Sequence, residues 1–197
     1  MNTQSKFLLV LFIVGLFVSI AVSSSKPSSS EVVMRSDEGV VNKIIAGYKQ
    51  WTRVNAEPHA VVSRLAVLCS RPTAAQISLE EQNPHLDKFV VVFVNGIGKL
   101  AMMEQKTPIF PEGSVIVKEK LTTKDSSSPE LLTVMRKREA GYDPDKGNWE
   151  YMVFDGAGQT LQASGKLENC QGCHIQHRAT DYISRIYLPA NVLEKLR

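Results

Sequence analysis

The sequence predicts an α+β fold: a mainly antiparallel β-sheet with a few helices packed on it, in one domain. Three observations predict it. Runs rich in Val, Ile, Phe, Tyr and Thr recur between residues 60 and 155, each bounded by Gly, Pro, Asn, Asp or Ser. The last three runs follow one another across turn-length segments, the pattern of an antiparallel meander. The chain has 197 residues, 43% of them hydrophobic, enough to build one core.

The elements follow in order. Val40, Val41, Ile44, Ile45 and Tyr48 recur on one helical face, with Ser36 or Asp37 as the N-cap and Trp51 past the end. Ala60–Leu68 (AVVSRLAVL), entered from Pro58, reads as a strand. Lys88–Asn95 (KFVVVFVN) is continuously apolar and bounded by Asn-Gly, so it reads as a central strand. GIGKLAMMEQ reads as a short connecting helix. Ser114–Leu121, Leu131–Arg138 and Asn148–Asp155 are the meander strands, with Pro111, Gly113, the DSSSP segment and Asp145-Lys146-Gly147 supplying the turns. Gln162–Leu167 reads as a turn. The region after Cys170 reads as helix or irregular structure, ending in Asn191–Arg197.

The N-terminus has a different character. Lys6 precedes an apolar run from Phe7 to Val18 that continues to Ala21-Val22-Ser23. This is a signal-peptide pattern over residues 1–23, and it predicts an exported, periplasmic protein. The alternative is an uncleaved membrane anchor. Small residues after the run favour cleavage, and no cysteine follows it to carry a lipid. Ser24–Ser36 is a Ser-rich, flexible leader, and the folded domain spans residues 37–197. Net charge is only +3, and the nearest approach to a basic run is Arg136-Lys137-Arg138. That is too short to argue for nucleic acid, so no such partner is expected.

The chemistry-bearing stretch is ENCQGCHIQH, residues 168–177. It holds two of three cysteines and two of four histidines. Three readings compete. Cys170 and Cys173 could form a disulfide or a redox dithiol, as export allows. A thioredoxin-like dithiol, however, opens a helix after a strand, and here a turn-like segment precedes it. Cys170, Cys173 and His177 could hold zinc with Cys69 or another histidine, but no second tightly spaced ligand pair exists. Cys69 reads instead as a small buried hydrophobe. The third reading uses Cys170, Cys173 and His174 together: thioethers from both cysteines to one haem, with the histidine as proximal iron ligand. It agrees with export, which haem attachment of this type requires.

Function then turns on the sixth iron position. The candidates are Met102, Met103, Met135, Met152, His59, His85 and His177. The methionines lie in apolar elements and read as core. His59 and His85 lie in loop-like or polar segments and read as surface residues. His177 is too close to His174 to reach the opposite haem face. In Ser114–Leu121, Ile116 and Lys118 share one face and Val115, Val117 and Glu119 the other. Judged by residue type, Lys118 reads as a surface lysine with a solvated head.

Trp51, FVVVFVNGIGKLAM, FPEGSVIVKEKL, LLTVMRKREAGYDPDKGNWEYMVFD, CQGCH and DYI occur in an order that resembles the cytochrome P-460 family, which includes cytochrome c′-β. The resemblance runs from about residue 40 to about residue 190. It implies a mostly antiparallel β fold, a homodimer, and one covalent, five-coordinate haem c with His174 proximal. It implies that Lys118, in Gly113-Ser114-Val115-Ile116-Val117-Lys118-Glu119, matches the lysine that P-460 members cross-link to the haem ring. Those members oxidise hydroxylamine, largely to nitrous oxide, and pass electrons to a soluble partner. Cytochrome c′-β members lack the cross-link, cap the distal face with aromatics and bind nitric oxide.

The chain departs from the family in one place. Hydroxylamine-oxidising members carry a distal carboxylate on the strand that here reads LLTVMRKR, and an ungapped alignment back from Trp149 puts Thr133 near that position. Glu130 and Glu139 are out of register with it. Thr133 and Met135 are therefore the expected distal-pocket residues. Two functions follow: redox chemistry on hydroxylamine, or capture of nitric oxide without turnover. A simple electron carrier, with a strong sixth ligand, is the third.

Overall fold

The strands form one seven-stranded antiparallel sheet in the order β1-β3-β4-β5-β6-β7, with β2 also paired to β3. The computed structural model describes residues 39–63, 71–81 and 85–197. These belong to one compact unit. The expected signal peptide and leader lie outside the described residues, as do Cys69 and the part of Ala60–Leu68 beyond Ser63.

A helix over residues 39–47 (α1) leads through a 3-10 turn, Tyr48–Gln50, to β1 (Thr52–Arg53) and β2 (His59–Val61). Then come α2 (Ala74–Glu81), β3 (Lys88–Val94) and α3 (Gly96–Met103). The meander is β4 (Val115–Leu121), β5 (Leu131–Lys137), β6 (Trp149–Asp155) and β7 (Leu161–Gly165). The chain ends with α4 (Glu168–His174), a 3-10 segment (Ile175–Thr180) and α5 (Ala190–Lys195).

The continuous apolar run of β3 is explained by its position. It is central, so both its faces are covered. Val92 and Val94 pack on one face, Val91 and Phe93 on the other. β1 and β2 share its outer edge, and Asn55 fills the gap between them. Its carbonyl oxygen accepts from Val92 N at 2.8 Å, and its amide donates to Val90 O at 2.9 Å and Glu57 O at 2.7 Å. A side-chain amide thus supplies the ladder contacts that a continuous strand would have made. Asn95 caps α3, accepting from Gly98 N and Val115 N at 3.0 Å each.

Three expectations are corrected. The strand predicted at Ala60–Leu68 starts at His59 and stops at Val61. Val61 pairs with Lys88, the first residue of β3, so the partner runs out there, and Val62 is 65% exposed. The turn predicted at Gln162–Leu167 is largely β7, an edge strand whose small and polar residues carry no strand pattern; its ladder to β6 holds it. The helix α2 was not foreseen. It begins on a Thr-x-x-Gln capping box, with Gln76 N donating to Thr73 Oγ1 and Thr73 N to Gln76 Oε1.

The sheet has two cores. α1 and Tyr48 cover one face, where Ile44 meets Val117, Leu132, Val134 and Phe154. The other face carries Ile116, Met135, Trp149 and Tyr151 and is covered by α3, Phe110 and the C-terminal residues Tyr182, Ile183 and Leu188. Burying each such side chain contributes about 1.5–3 kcal/mol. The partly buried Cys170 packs against this second face, which makes it the face of interest.

Candidate haem site

α4 brings Cys170, Cys173 and His174 onto one helical side, since positions three and four apart are neighbours on a helix. Both cysteines are free thiols, Cys170 half-buried and Cys173 exposed. No group of three or more His, Cys, Asp or Glu side chains converges as a metal-ion cluster among the described residues. The zinc arrangement of Cys170, Cys173 and His177 with a fourth donor is therefore not formed among them.

His174 is oriented by the backbone. Its Nδ1 lies 2.7 Å from the carbonyl oxygen of Tyr182, so Nδ1 is the protonated donor and Nε2 keeps the lone pair. Burial lowers its pKa to about 4, against the opposing pull of the Tyr182 hydrogen bond; Lys118 and His177 lower it further. The ring is neutral at neutral pH, as a metal-ligating imidazole must be.

The carbonyl that aims His174 is itself fixed from several directions. Tyr182 donates its hydroxyl to Asp145 O at 2.9 Å. The carboxylate of neighbouring Asp181 accepts from Lys137 Nζ at 2.7 and 2.6 Å and from Phe110 N at 2.8 Å. Trp149 Nε1 donates to Asp181 O at 2.8 Å, and Lys137 Nζ lies 4.9 Å from the Trp149 ring centroid. The basic run is thus committed to local ion pairs, with Arg136 and Arg138 both on Glu150. Composition could not reveal this tie; the DYI segment was its one visible trace.

Lys118 sits in the ladder opposite Val92 on one side and Thr133 on the other. Ile116, two residues earlier on the same face, pairs with Met135, which is 9% exposed. Thr133 and Met135 therefore share a sheet face with Lys118. The surface readings of Lys118 and His85 are corrected. Lys118 Nζ lies 3.1 Å from His85 Nε2, and burial pushes the amine down to about 8. Negative charge on Cys170 and Cys173 opposes that fall, while Lys120 adds to it. Burial lowers His85 to about 3, with Lys118, Lys120 and His174 adding to the effect. A turn brings His85 there: Lys88 N donates to His85 O, and Asp87 adopts a positive φ of 55°.

The remaining candidates separate by face. Met152 packs in the α1-side core, and Met102 is sealed at 1% exposure. His59 packs edge-on to Tyr187 at 5.3 Å. Glu130 bonds Lys88 Nζ at 2.9 Å and Lys120 Nζ at 3.2 Å; those contacts and Thr122 hold its carboxyl down near 2, too low for a useful proton acceptor. Glu139 is exposed and pairs with Arg138.

These residues fit a haem. A neutral histidine offers Nε2, one thiol stands a turn before it and the other immediately before it, and a half-buried amine stands on the same sheet face as Ile116. The hydroxyl of Tyr151, 2% exposed and 5.4 Å ring to ring from His174, finds no hydrogen-bond partner among the described residues. A site with that donor set on a sheet face is the site of a cytochrome, a haem-iron protein. The chain belongs to the cytochrome P460 family, whose model (Cytochrome P460) matches residues 45–184. No curated protein matches it.

Proposed function

We propose that the chain is an exported, mono-haem c-type cytochrome with an open distal side that carries out redox chemistry on hydroxylamine. Cys170 and Cys173 would hold the haem by thioethers, and His174 Nε2 would ligate the iron. The haem, when bound, supplies an iron that accepts a small nitrogen ligand and relays its electrons. The protein's own residues do the rest. Tyr182 O keeps His174 in one tautomer and orientation. The apolar face around Ile116 and Met135 excludes water. Lys118 stands where the cross-linking lysine of the family is expected.

The observation that carries this reading is the half-buried Lys118 amine on the sheet face against which Cys170 packs. Burial, with Lys120 adding to it, pulls this amine below the ordinary lysine range. A homodimer in the periplasm, handing electrons to a soluble acceptor, completes the proposal.

One observation favours a second reading, capture of nitric oxide without turnover. Thr133 stands opposite Lys118, and the nearby Glu130 is held too acidic to accept a proton. Hydroxylamine oxidation releases protons, and a threonine hydroxyl is a poor acceptor. The test is steady-state assay of the haem-loaded full chain with hydroxylamine and an electron acceptor. Sustained acceptor reduction supports the enzyme. No turnover with tight ferrous nitric oxide binding supports the second reading. A six-coordinate, low-spin resting protein that refuses nitric oxide defeats both.

A further inference from the structure

We propose that His85 is a positioning residue for Lys118: its imidazole, carried on the turn between α2 and β3, accepts a hydrogen bond from the Lys118 amine and holds it on the sheet face that α4 flanks. The inference rests on the reading of Lys118 as the haem-linked lysine, and it names the residue that prepares it.

The geometry is the first support. Thirty-three positions separate the two residues, yet Nζ and Nε2 lie 3.1 Å apart. A lysine side chain otherwise has large rotamer freedom to lose on ordering. An acceptor fixed on a turn selects one rotamer. The turn is itself pinned to the sheet edge, since Asp87 N donates to Val61 O at 2.9 Å.

Charge is the second support. Burial first, and then Lys118 and Lys120 from β4 and His174 from α4, disfavour a charged imidazole at His85. The imidazole therefore stays neutral and keeps a lone pair for the amine. Chemistry is the third. Attachment would exchange one ring C–H and one amine N–H for a C–N bond, with two electrons and two protons passing to an external oxidant of the peroxide class; the nitrogen keeps one N–H, so the hydrogen bond to His85 survives. A carboxylate in the same place would favour the ammonium form, which has no lone pair to bond carbon; an imidazole orients the amine without charging it.

The test uses the full chain produced as a haem protein, in wild-type, H85A, H85Q and K118M forms. Mass spectrometry of proteolytic peptides measures the fraction of haem attached to Lys118, and the absorption spectrum follows the main haem band. H85A should lower the Lys118-linked fraction at least about fivefold, the ratio that one lost hydrogen bond of ordinary net worth gives. Its attachment to Cys170 and Cys173 should be unchanged, and H85Q, which restores an acceptor, should recover part of the loss. H85L, which keeps bulk without the acceptor, replaces H85A if that variant does not fold. A Lys118-linked fraction in H85A equal to wild type overturns the proposal. Wild-type protein with no haem on Lys118 removes the cross-link reading instead. The pair is then judged by a double-mutant cycle of H85A and K118M in urea unfolding. A coupling of about fivefold in the unfolding constant upholds the positioning role, and additive effects overturn it.

Discussion

A neutral imidazole packed against a half-buried amine makes His85 sensitive to acid. Its pKa is about 3 in the fold, against an ordinary value of 6.5. As pH falls below 6.5 the unfolded chain takes up a proton that the fold refuses. The stability this residue contributes is therefore full above pH 6.5 and is lost progressively toward pH 3. Between pH 7 and pH 5 the wild type should lose up to about 2 kcal/mol more than H85Q, measured by urea unfolding. Parallel losses in both proteins would refute the buried placement. The same pair shows what a sequence carries at this scale. Cys170, Cys173 and His174 are legible because their chemistry is local, set by spacing along one helix. The burial of Lys118 is not, because its partner comes from a distant turn in a polar segment.

The tight turn Pro144–Lys146, ending at Gly147, links the meander to the histidine. Gly147 has a φ of +72°, and a Cβ there would stand 2.5 Å from Tyr182 Cδ2. Tyr182 is the residue whose carbonyl aims His174. G147A should cost about 1–3 kcal/mol from backbone strain alone, lowering Tm by roughly 2–10 °C. It should also perturb the haem spectrum, because Tyr182 must move. G96A, where a Cβ meets nothing within 4 Å, is the control. An unchanged spectrum in G147A would mean that the Tyr182 carbonyl does not set the histidine. Among the elements, β3 to β6 are legible because buried strands advertise themselves with β-branched runs and turn residues. β7 and β1 are not, because an edge ladder needs only backbone groups. The capping box at Thr73 was a readable signal for α2, but its helix is weakly amphipathic and lacks the apolar stripe that marked the others.

At the scale of the molecule, the sheet divides the labour. One face is closed by α1 and serves stability. The other takes Lys118, Thr133, Met135 and His85 from the sheet and its connections, and Cys170 and His174 from the C-terminal segment. The family match covers all seven strands and α4, whereas the reaction depends on a few side chains whose placement only the fold reveals. The central claim is that α4 is where the haem is held. Mass spectrometry of proteolytic peptides from the full chain produced as a haem protein tests it directly. The account predicts haem mass on the peptide containing Cys170 and Cys173, with both cysteines blocked to alkylation. Both cysteines recovered as free thiols or as a disulfide, with no haem on that peptide, would contradict it.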